Sequence, residues 1–224
     1  MPLVLVIGAS RGIGLELVRQ YRADGWEAIG TARDDAGLER LRALGAEALK
    51  LDVTAAGAPE QLERALGTRA LAAAILNAGI YGPRTQGLEP PEDPVFIEVM
   101  RTNVLPAMRI APRLLAALER GKGKFAVLTS RMGAIGPRSG TAGWLYRASK
   151  AALNSVLKDV SLVAGARGIA CAAFHPGWVK TDMGGQGADV EVETSVAGIR
   201  RCLAALDASG NGTFLSYDGS VIPW

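Results

Sequence analysis

The stretch from Val4 to Gly14 constrains the fold of this chain more than any other part of the sequence. Residues 4–7 are all apolar and have the length of a buried strand. The glycines at positions 8, 12 and 14 permit a sharp turn, a close approach of the backbone to a ligand, and tight packing of the next helix. We therefore expect an anion such as a pyrophosphate at the start of that helix, where free N–H groups and the positive end of the helix dipole meet.

The spacing of these glycines distinguishes between two kinds of nucleotide. The pattern Gly-x-x-x-Gly-x-Gly differs from the Gly-x-x-x-x-Gly-Lys of a P-loop, and no lysine follows Gly14. We therefore expect a dinucleotide rather than ATP. A tight strand-to-helix turn without a ligand is the alternative.

Apolar strand patterns alternate with helical patterns along the whole chain. The predicted strands are 4–7, 27–31, 47–51, 71–76, 125–128, 169–174 and 212–216. A long helical pattern over 94–118 contains Pro106 and Pro112, which should kink it. Such alternation is typical of a parallel sheet that is covered on both faces and binds its ligand at the carboxyl edge. We predict an α/β fold with one doubly wound Rossmann-type domain over 1–224 and a mostly parallel seven-stranded sheet.

Composition and charge argue against several classes of function. The net charge of +3 comes from scattered Arg and Lys, so we expect no nucleic-acid partner. The apolar run 3–7 is too short for a signal peptide or a membrane span, which predicts a cytoplasmic protein without a membrane partner. The cysteines at 171 and 202 and the single His175 lack metal-ligand spacing, so no metal is expected and His175 is interpreted as a structural residue at a strand end.

Tyr146 and Lys150 form a candidate proton-transfer pair. Their i, i+4 spacing places both side chains on one helix face. A free phenol has a pKa of roughly 10, and a nearby ammonium group should lower that pKa. The phenol could then protonate a carbonyl oxygen while a hydride reaches the carbon, and Ser130, at the end of a strand, could donate to the same oxygen. Without this context, Tyr-x-x-x-Lys is a common surface pair.

Ala32 and Arg33 at the end of the second strand, together with Arg11, favour NADP over NAD. Ala32 stands where an acid would bind a free ribose hydroxyl, and Arg33 with Arg11 offers two guanidinium groups for a 2′-phosphate. Two solvated surface arginines are the alternative. Asp52 could accept a hydrogen bond from an adenine amino group or cap the helix that begins near Pro59.

These motifs, in this order, resemble the short-chain dehydrogenase/reductase superfamily. The matching elements are Gly8-Ala9-Ser10-Arg11-Gly12-Ile13-Gly14, Asp52-Val53, Asn77-Ala78-Gly79, Asn103, Ser130, Tyr146-x-x-x-Lys150 and Pro176-Gly177 with Thr181. Within the superfamily, the chain looks closest to the small C-factor and sniffer-like group of NADPH-dependent carbonyl reductases. That likeness rests on residues 146–154 and on the terminal segments 217–219 and 222–224.

The resemblance implies roles for individual residues. Tyr146 would be the proton donor, Ser130 would polarise the carbonyl, and Lys150 would hold the nicotinamide ribose while tuning Tyr146. Asn103 would hold a water in a proton relay from Lys150; the alternative is a satisfied polar group in a kinked helix. The implied cofactor-binding residues are Gly8, Ser10, Arg11, Gly12, Ile13, Gly14, Arg33, Asp52, Val53, Asn77, Ala78, Gly79, Tyr146, Lys150, Pro176, Gly177, Val179 and Thr181.

A mostly apolar group of residues is the candidate substrate pocket, which would suit an uncharged hydrophobic carbonyl compound. Its members are Tyr81, Arg131, Met132, Ile135, Trp144, Trp178 and Met183. Core or interface packing is the alternative for these side chains. The glycine-rich run 184–187 is a candidate mobile lid, and the resemblance implies a homodimer or homotetramer through the helices 94–118 and 144–163.

The leading functional hypothesis is an NADPH-dependent reductase of an aldehyde or ketone. Two alternatives remain from the sequence: a C-factor-like signalling or regulatory protein that binds the nucleotide without needing turnover, and an NAD-dependent alcohol dehydrogenase.

Overall fold

The computed structural model describes residues 1–185 and 187–224. Within them a single sheet of seven strands has the order β3-β2-β1-β4-β5-β6-β7, and every neighbouring pair is parallel. The strands are β1 (Leu3–Ile7), β2 (Glu27–Ala32), β3 (Glu47–Lys50), β4 (Ala73–Leu76), β5 (Lys124–Leu128), β6 (Ala170–His175) and β7 (Thr213–Ser216). The predicted doubly wound α/β fold is confirmed, with a sheet that is parallel throughout.

Helices cover both faces of the sheet. They are α1 (Gly12–Ala23), α2 (Asp35–Ala43), α3 (Ala58–Leu66), α4 (Asp93–Asn103), α5 (Leu105–Arg120), α6 (Trp144–Gly165) and α7 (Val192–Ala205). Helices α3, α5 and α6 pack on one face, and α1, α2 and α7 pack on the other. Side chains of β1 alternate between the two cores, so that Leu5 and Ile7 belong to the first and Val4 and Val6 to the second. The continuous apolar runs of the central strands follow from this burial on both faces.

The long helix predicted over 94–118 is two helices in the structure. Helix α4 ends at Asn103, Val104 has φ −116° and ψ −54°, and α5 begins at Leu105. Pro106 lies in the first turn of α5, where its missing N–H has no intrahelical partner to lose, whereas Pro112 lies inside the helix. The prediction of one kinked helix is therefore wrong, and Pro106 marks a new helix start.

The chain beyond β7 folds back against the sheet. Ile222 N–H donates to the Phe214 carbonyl (2.8 Å), and the Trp224 ring stacks on Phe214 with 5.4 Å between centroids. The Trp224 carbonyl accepts the N–H of Ile135 at 2.7 Å. Trp224 thus fixes the position of Ile135 in the loop that follows Ser130.

The strand order places the candidate site. Strands β1 and β4 are neighbours in the sheet, but the chain leaves β1 toward β2 on one side and leaves β4 toward β5 on the other, so the loops diverge there above the carboxyl ends of the strands. Among the described residues, none of the helices combines the length and the apolar character needed to cross a membrane.

Candidate active site

The glycine turn between β1 and α1 is packed so closely that two of its glycines accept no side chain. Gly8 has φ +86°, and a Cβ there would lie 2.7 Å from the Cα of Ala78. A Cβ on Gly14 would lie 2.2 Å from the Gly8 carbonyl oxygen. The Gly8 carbonyl accepts a hydrogen bond from the side-chain amide of Asn77 (2.5 Å), which connects the turn after β1 with the end of β4. The turn therefore approaches β4 as a bare backbone and leaves the space above it open.

A cavity of about 400 Å³ lies above this turn. Most of the residues predicted to bind a cofactor line it. These are Gly8, Ser10, Arg11, Gly12, Ile13, Arg33, Val53, Asn77, Ala78, Gly79, Tyr146, Lys150, Pro176 and Thr181. Its lining includes residues at the end of β2 and Tyr146 of α6.

Four of the predicted cofactor residues do not line this cavity. Gly14 packs beneath the turn, and Gly177 and Val179 line a second, adjoining cavity. Asp52 accepts the N–H and the hydroxyl of Thr54 at 2.9 and 2.8 Å, and the Thr54 N–H is the main cause of the lowered pKa of Asp52. The alternative of a helix cap is wrong, because α3 has Gly57 at its N-cap with no side-chain cap.

Two basic residues near the glycine turn were not predicted. Arg40 of α2 donates its Nε–H to the Ser10 carbonyl at 2.8 Å, and Lys180 lines the first cavity. Lys180 lies between the predicted Val179 and Thr181, so its neighbours in the sequence were a usable signal. Arg40 had no local signal, because only the packing of α2 against the turn brings it there.

Tyr146 and Lys150 lie together in the floor of the site, both almost completely buried. The Lys150 Nζ donates to the Leu128 carbonyl at 2.9 Å and lies 5.6 Å from the centroid of the Tyr146 ring. Burial lowers the pKa of Lys150 to about 8. The same cause raises the pKa of Tyr146 to about 12, and hydrogen bonding with the Ser130 side chain opposes that rise.

The expectation that Lys150 acidifies Tyr146 is therefore wrong for this structure. Burial is the largest influence on the pKa of the phenol, and the Lys150 ammonium is directed at a backbone carbonyl at the end of β5. Ser130 lies close to Tyr146, and its hydroxyl also caps the short 3₁₀ helix Arg131–Gly133 by accepting the Met132 N–H at 3.2 Å. The structure thus brings Ser130, Tyr146 and Lys150 together.

Asn103 uses its whole amide to connect the loop after β4 with α6. Its Oδ1 accepts the Ile80 N–H at 2.8 Å, and its Nδ2 donates to the Ile80 carbonyl at 2.8 Å and to the Ser149 hydroxyl at 2.9 Å. Ser149 in turn donates to the Tyr146 carbonyl at 2.8 Å. Asn103 therefore supports the helix turn that carries Tyr146, as the structural alternative expected.

A second cavity of about 550 Å³ adjoins the first, and Tyr146 lines both. Among the predicted pocket residues, five line it: Tyr81, Arg131, Met132, Trp178 and Met183. Ile135 and Trp144 do not. The Ile135 side chain is 67% exposed, and the Trp144 indole N–H donates to the Glu89 carbonyl at 2.9 Å, which secures the loop before α4.

The walls of this second cavity also carry charged side chains that were not predicted. Arg84, Arg138 and Arg147 line it together with Arg131, and none of these three was predicted. His175 lines it as well, and burial lowers the pKa of His175 to about 4, so its imidazole is neutral near pH 7. The loop residues 84 and 138 carried no periodic signal, which is why only the fold reveals them.

The candidate lid at 184–187 is described only in part, because Gln186 lies outside the described residues. The Gly184 carbonyl accepts the Trp178 indole N–H at 2.9 Å, and the Gly184 N–H donates to the Thr181 hydroxyl at 3.2 Å.

Over the described parts of the chain, no group of three or more His, Cys, Asp or Glu residues is arranged to hold a metal ion.

Residues 2–191 match the family model of short chain dehydrogenases. The chain belongs to the short-chain dehydrogenase family. The match covers the glycine turn, Ser130, Tyr146 and Lys150. Among curated relatives, the C-signal protein of Myxococcus xanthus is 35% identical to this short-chain dehydrogenase over 133 residues, which are 58% of this chain and 80% of that protein.

Solved structures agree over the whole length of this short-chain dehydrogenase. A Burkholderia multivorans protein described as a short-chain dehydrogenase/reductase, solved with bound NADP, has a TM-score of 0.92 and 30% identity, covering 100% of this chain and 99% of that one. The carbonyl reductase Sniffer of D. melanogaster has a TM-score of 0.90 and 28% identity, with 100% of both chains covered. The expected kinship with the carbonyl reductase group is thereby supported.

Proposed function

We propose that this short-chain dehydrogenase is an NADPH-dependent oxidoreductase that reduces an aldehyde or ketone. The observation that carries the proposal is the position of Tyr146, which lines both cavities and lies beside Ser130 and Lys150. A cofactor in the first cavity and a carbonyl compound in the second would meet at this residue. The same residue could then complete the reduction by proton transfer.

The residues that line the first cavity fit a dinucleotide. The side-chain-free cradle formed by Gly8 and Gly14 and the N-terminus of α1 would bind the pyrophosphate, and Lys150 would bind the nicotinamide ribose. A bound nicotinamide supplies the hydride. Residues 1–224 would act as one dinucleotide-binding domain, since one sheet runs from the N-terminal strand to the last.

The electrostatics favour Tyr146 as an acid in the direction of reduction. Because the pKa of Tyr146 is raised to about 12, its phenol holds its proton throughout the neutral range. Ser130 would donate a hydrogen bond to the carbonyl oxygen and stabilise negative charge as it develops, and Tyr146 would deliver the proton to that oxygen.

The end of β2 supports a preference for NADP over NAD. Arg33 is exposed and lines the first cavity, and Ala32 supplies no carboxylate that would repel a phosphate. Arg11 lines the same cavity and pairs with Asp182 at 3.0 Å, with both side chains well exposed. Such an exposed ion pair contributes little free energy, so the Arg11 side chain can leave Asp182 and bind a phosphate dianion.

Assembly through α4, α5 and α6 is part of the same proposal. Large apolar side chains are exposed on these helices: Phe96, Ile97, Met108, Leu162 and Val163. Covering them in a homodimer or homotetramer would remove apolar surface from water. Light scattering of the purified protein would measure the assembly, and a monomer would contradict it.

The test of the proposed function is NADPH oxidation with a panel of aldehydes, ketones and quinones. Wild type should oxidise NADPH, and Tyr146→Phe should lose about 100-fold or more in turnover while keeping its affinity for NADPH. Retained turnover in Tyr146→Phe would refute the role of the phenol. NADPH binding by wild type without oxidation by any carbonyl would favour a regulatory nucleotide-binding protein instead.

A further inference from the structure

Four arginines line the second cavity, and no carboxylate does. Arg84, Arg131, Arg138 and Arg147 all belong to its lining, and none of the described lining residues is an Asp or a Glu. The four arginines come from three different segments of the chain: the loop after β4, the loop after Ser130, and the first turn of α6. The cavity therefore carries a concentrated positive charge next to Tyr146.

None of the four arginines forms an ion pair with a carboxylate among the described residues, whereas seven other arginines of the chain do. Arg84 donates to the Met183 carbonyl at 2.7 Å and Arg147 to the Ala142 carbonyl at 2.9 Å. Each of these bonds uses one of the five N–H groups of a guanidinium. Both side chains are thus oriented by backbone acceptors and keep donors for a ligand.

The positive charge lies within reach of the reacting groups. The Arg84 guanidinium lies 5.0 Å above the Tyr81 ring, which stacks on Tyr146 at 4.5 Å between centroids. The charge of Arg131 also contributes to the lowered pKa of His175 at the end of β6. A substrate that touches Tyr146 would therefore lie among these arginines.

We propose that the substrate is a carbonyl compound with an anionic group, a carboxylate or a phosphate, which the arginines of the second cavity bind while its carbonyl oxygen faces Ser130 and Tyr146. The inference rests on the proposed function and replaces the uncharged compound expected from the sequence. Tyr81, Met132, Trp178 and Met183 supply apolar contacts for the body of such a molecule. Guanidinium groups bind carboxylate and phosphate oxygens bidentately, which gives orientation as well as affinity.

The reaction leaves the anionic group unchanged. Hydride from NADPH forms the new C–H bond, the Tyr146 proton forms the O–H bond, and the π bond of the carbonyl breaks as NADPH becomes NADP⁺. The arginines bind and orient without exchanging protons, since a guanidinium stays charged at every working pH.

Matched probes test the proposal: 4-carboxybenzaldehyde, its uncharged methyl ester, and 4-formylphenyl phosphate. We expect kcat/KM for at least one of the anionic aldehydes to exceed that for the ester by about tenfold or more, and to fall as salt is added. The anionic aldehyde with the higher kcat/KM shows whether the cavity prefers a carboxylate or a phosphate. Turnover of the ester that equals or exceeds that of both anions would overturn the proposal while leaving the proposed reductase activity intact.

Substitutions locate the anion site. Arg131→Gln and Arg138→Gln should each lower the ratio of anion to ester kcat/KM by about threefold to tenfold. Arg201→Gln on the exposed surface of α7 removes the same charge far from the cavity and should keep the wild-type ratio. An equal fall in all three variants would mean that net charge, and not the cavity, selects the substrate, and would overturn the proposal.

A binding measurement separates this inference from the proposed function. Trp178 lines the second cavity, so its fluorescence reports on ligands there. With NADP present, 4-carboxybenzoate or 4-carboxyphenyl phosphate should change the fluorescence saturably in wild type and more weakly in Arg131→Gln. If no carbonyl compound is reduced, such binding would still support an anion site, and its absence would overturn the proposal.

Discussion

The Tyr81 ring stacks on the Tyr146 ring, with 4.5 Å between the centroids and an angle of 20° between the planes. Tyr81 lies in the loop after β4, so this loop covers the proposed proton donor from the side of the second cavity. The stack helps to bury Tyr146, and burial is the main cause of the raised pKa of that phenol. The pKa of Tyr146 thus depends on a loop residue distant in sequence, as well as on its own helix.

Replacing Tyr81 should make Tyr146 more acidic. In Tyr81→Leu, water reaches the phenol, so its pKa should fall from about 12 toward the ordinary value of 10.0. The measurement is an ultraviolet titration of tyrosinate, in which subtracting the curve of the matching Tyr146→Phe protein isolates Tyr146. Tyr81→Phe keeps the stack and serves as the control with a smaller change. An unchanged or higher midpoint in Tyr81→Leu would contradict the role of the stack.

Lys150 should make the stability of the protein depend on pH in the alkaline range. The unfolded chain keeps the Lys150 proton up to about the ordinary lysine pKa of 10.5, whereas burial lowers the pKa in the folded protein to about 8. Between these values the unfolded state binds more protons, so the contribution of Lys150 to stability rises with pH. Below pH 8 the buried ammonium costs about 3 kcal/mol relative to an unshifted lysine.

The comparison of wild type with Lys150→Met isolates this contribution. Methionine keeps the apolar stem and cannot ionise, so the stability of wild type minus that of the variant should increase between pH 8 and pH 10.5. Denaturant unfolding at a series of pH values measures the difference. A difference that stays flat or falls over this range would contradict the lowered pKa.

The fold was predictable because its evidence is local. The central strands β1 and β4 are continuous apolar runs, which burial on both faces of a parallel sheet requires, and each is followed by a turn residue, Gly8 or Asn77. The break at Val104 was not predictable in the same way. A proline predicts a disturbed helix, but whether the helix bends or ends depends on what packs around it, and here Asn103 is bonded to Ile80 of another segment.

The site was predictable where a motif encodes the geometry. Gly8 and Gly14 have no room for a side chain, so the presence of glycine at these two positions directly predicts the turn. The pKa of Tyr146 was not predictable, because spacing places Lys150 on the same helix face but does not give the degree of burial. The cationic lining of the second cavity was missed for a related reason, since Arg84 and Arg138 lie in loops that only the tertiary structure brings together.

Asn103 should contribute mainly to stability. Its amide is fully used by Ile80 and Ser149, so Asn103→Ala leaves buried groups without partners and should cost about 2 to 3 kcal/mol in the free energy of unfolding. Asn154 is a matched control, because it is also buried but its side chain has no hydrogen-bond partner in the described part of the chain. Asn154→Ala should lower the free energy of unfolding by less. Urea unfolding measures the free energy for both variants. A large loss of kcat in Asn103→Ala with unchanged stability would favour a proton relay instead.

Arg33 should decide between the two nicotinamide cofactors. It lines the first cavity at the end of β2, and no described carboxylate forms an ion pair with it, so its guanidinium is available to a 2′-phosphate. Arg33→Ala should raise the Kd of NADPH about tenfold and leave that of NADH nearly unchanged, because only NADPH carries the phosphate. Calorimetric titration with both nucleotides gives the values. Arg42→Ala, which removes an arginine of α2 that pairs with Glu39, is the control and should alter neither Kd. Equal weakening of NADPH and NADH in Arg33→Ala would mean that the residue supports the cavity wall and does not recognise the phosphate.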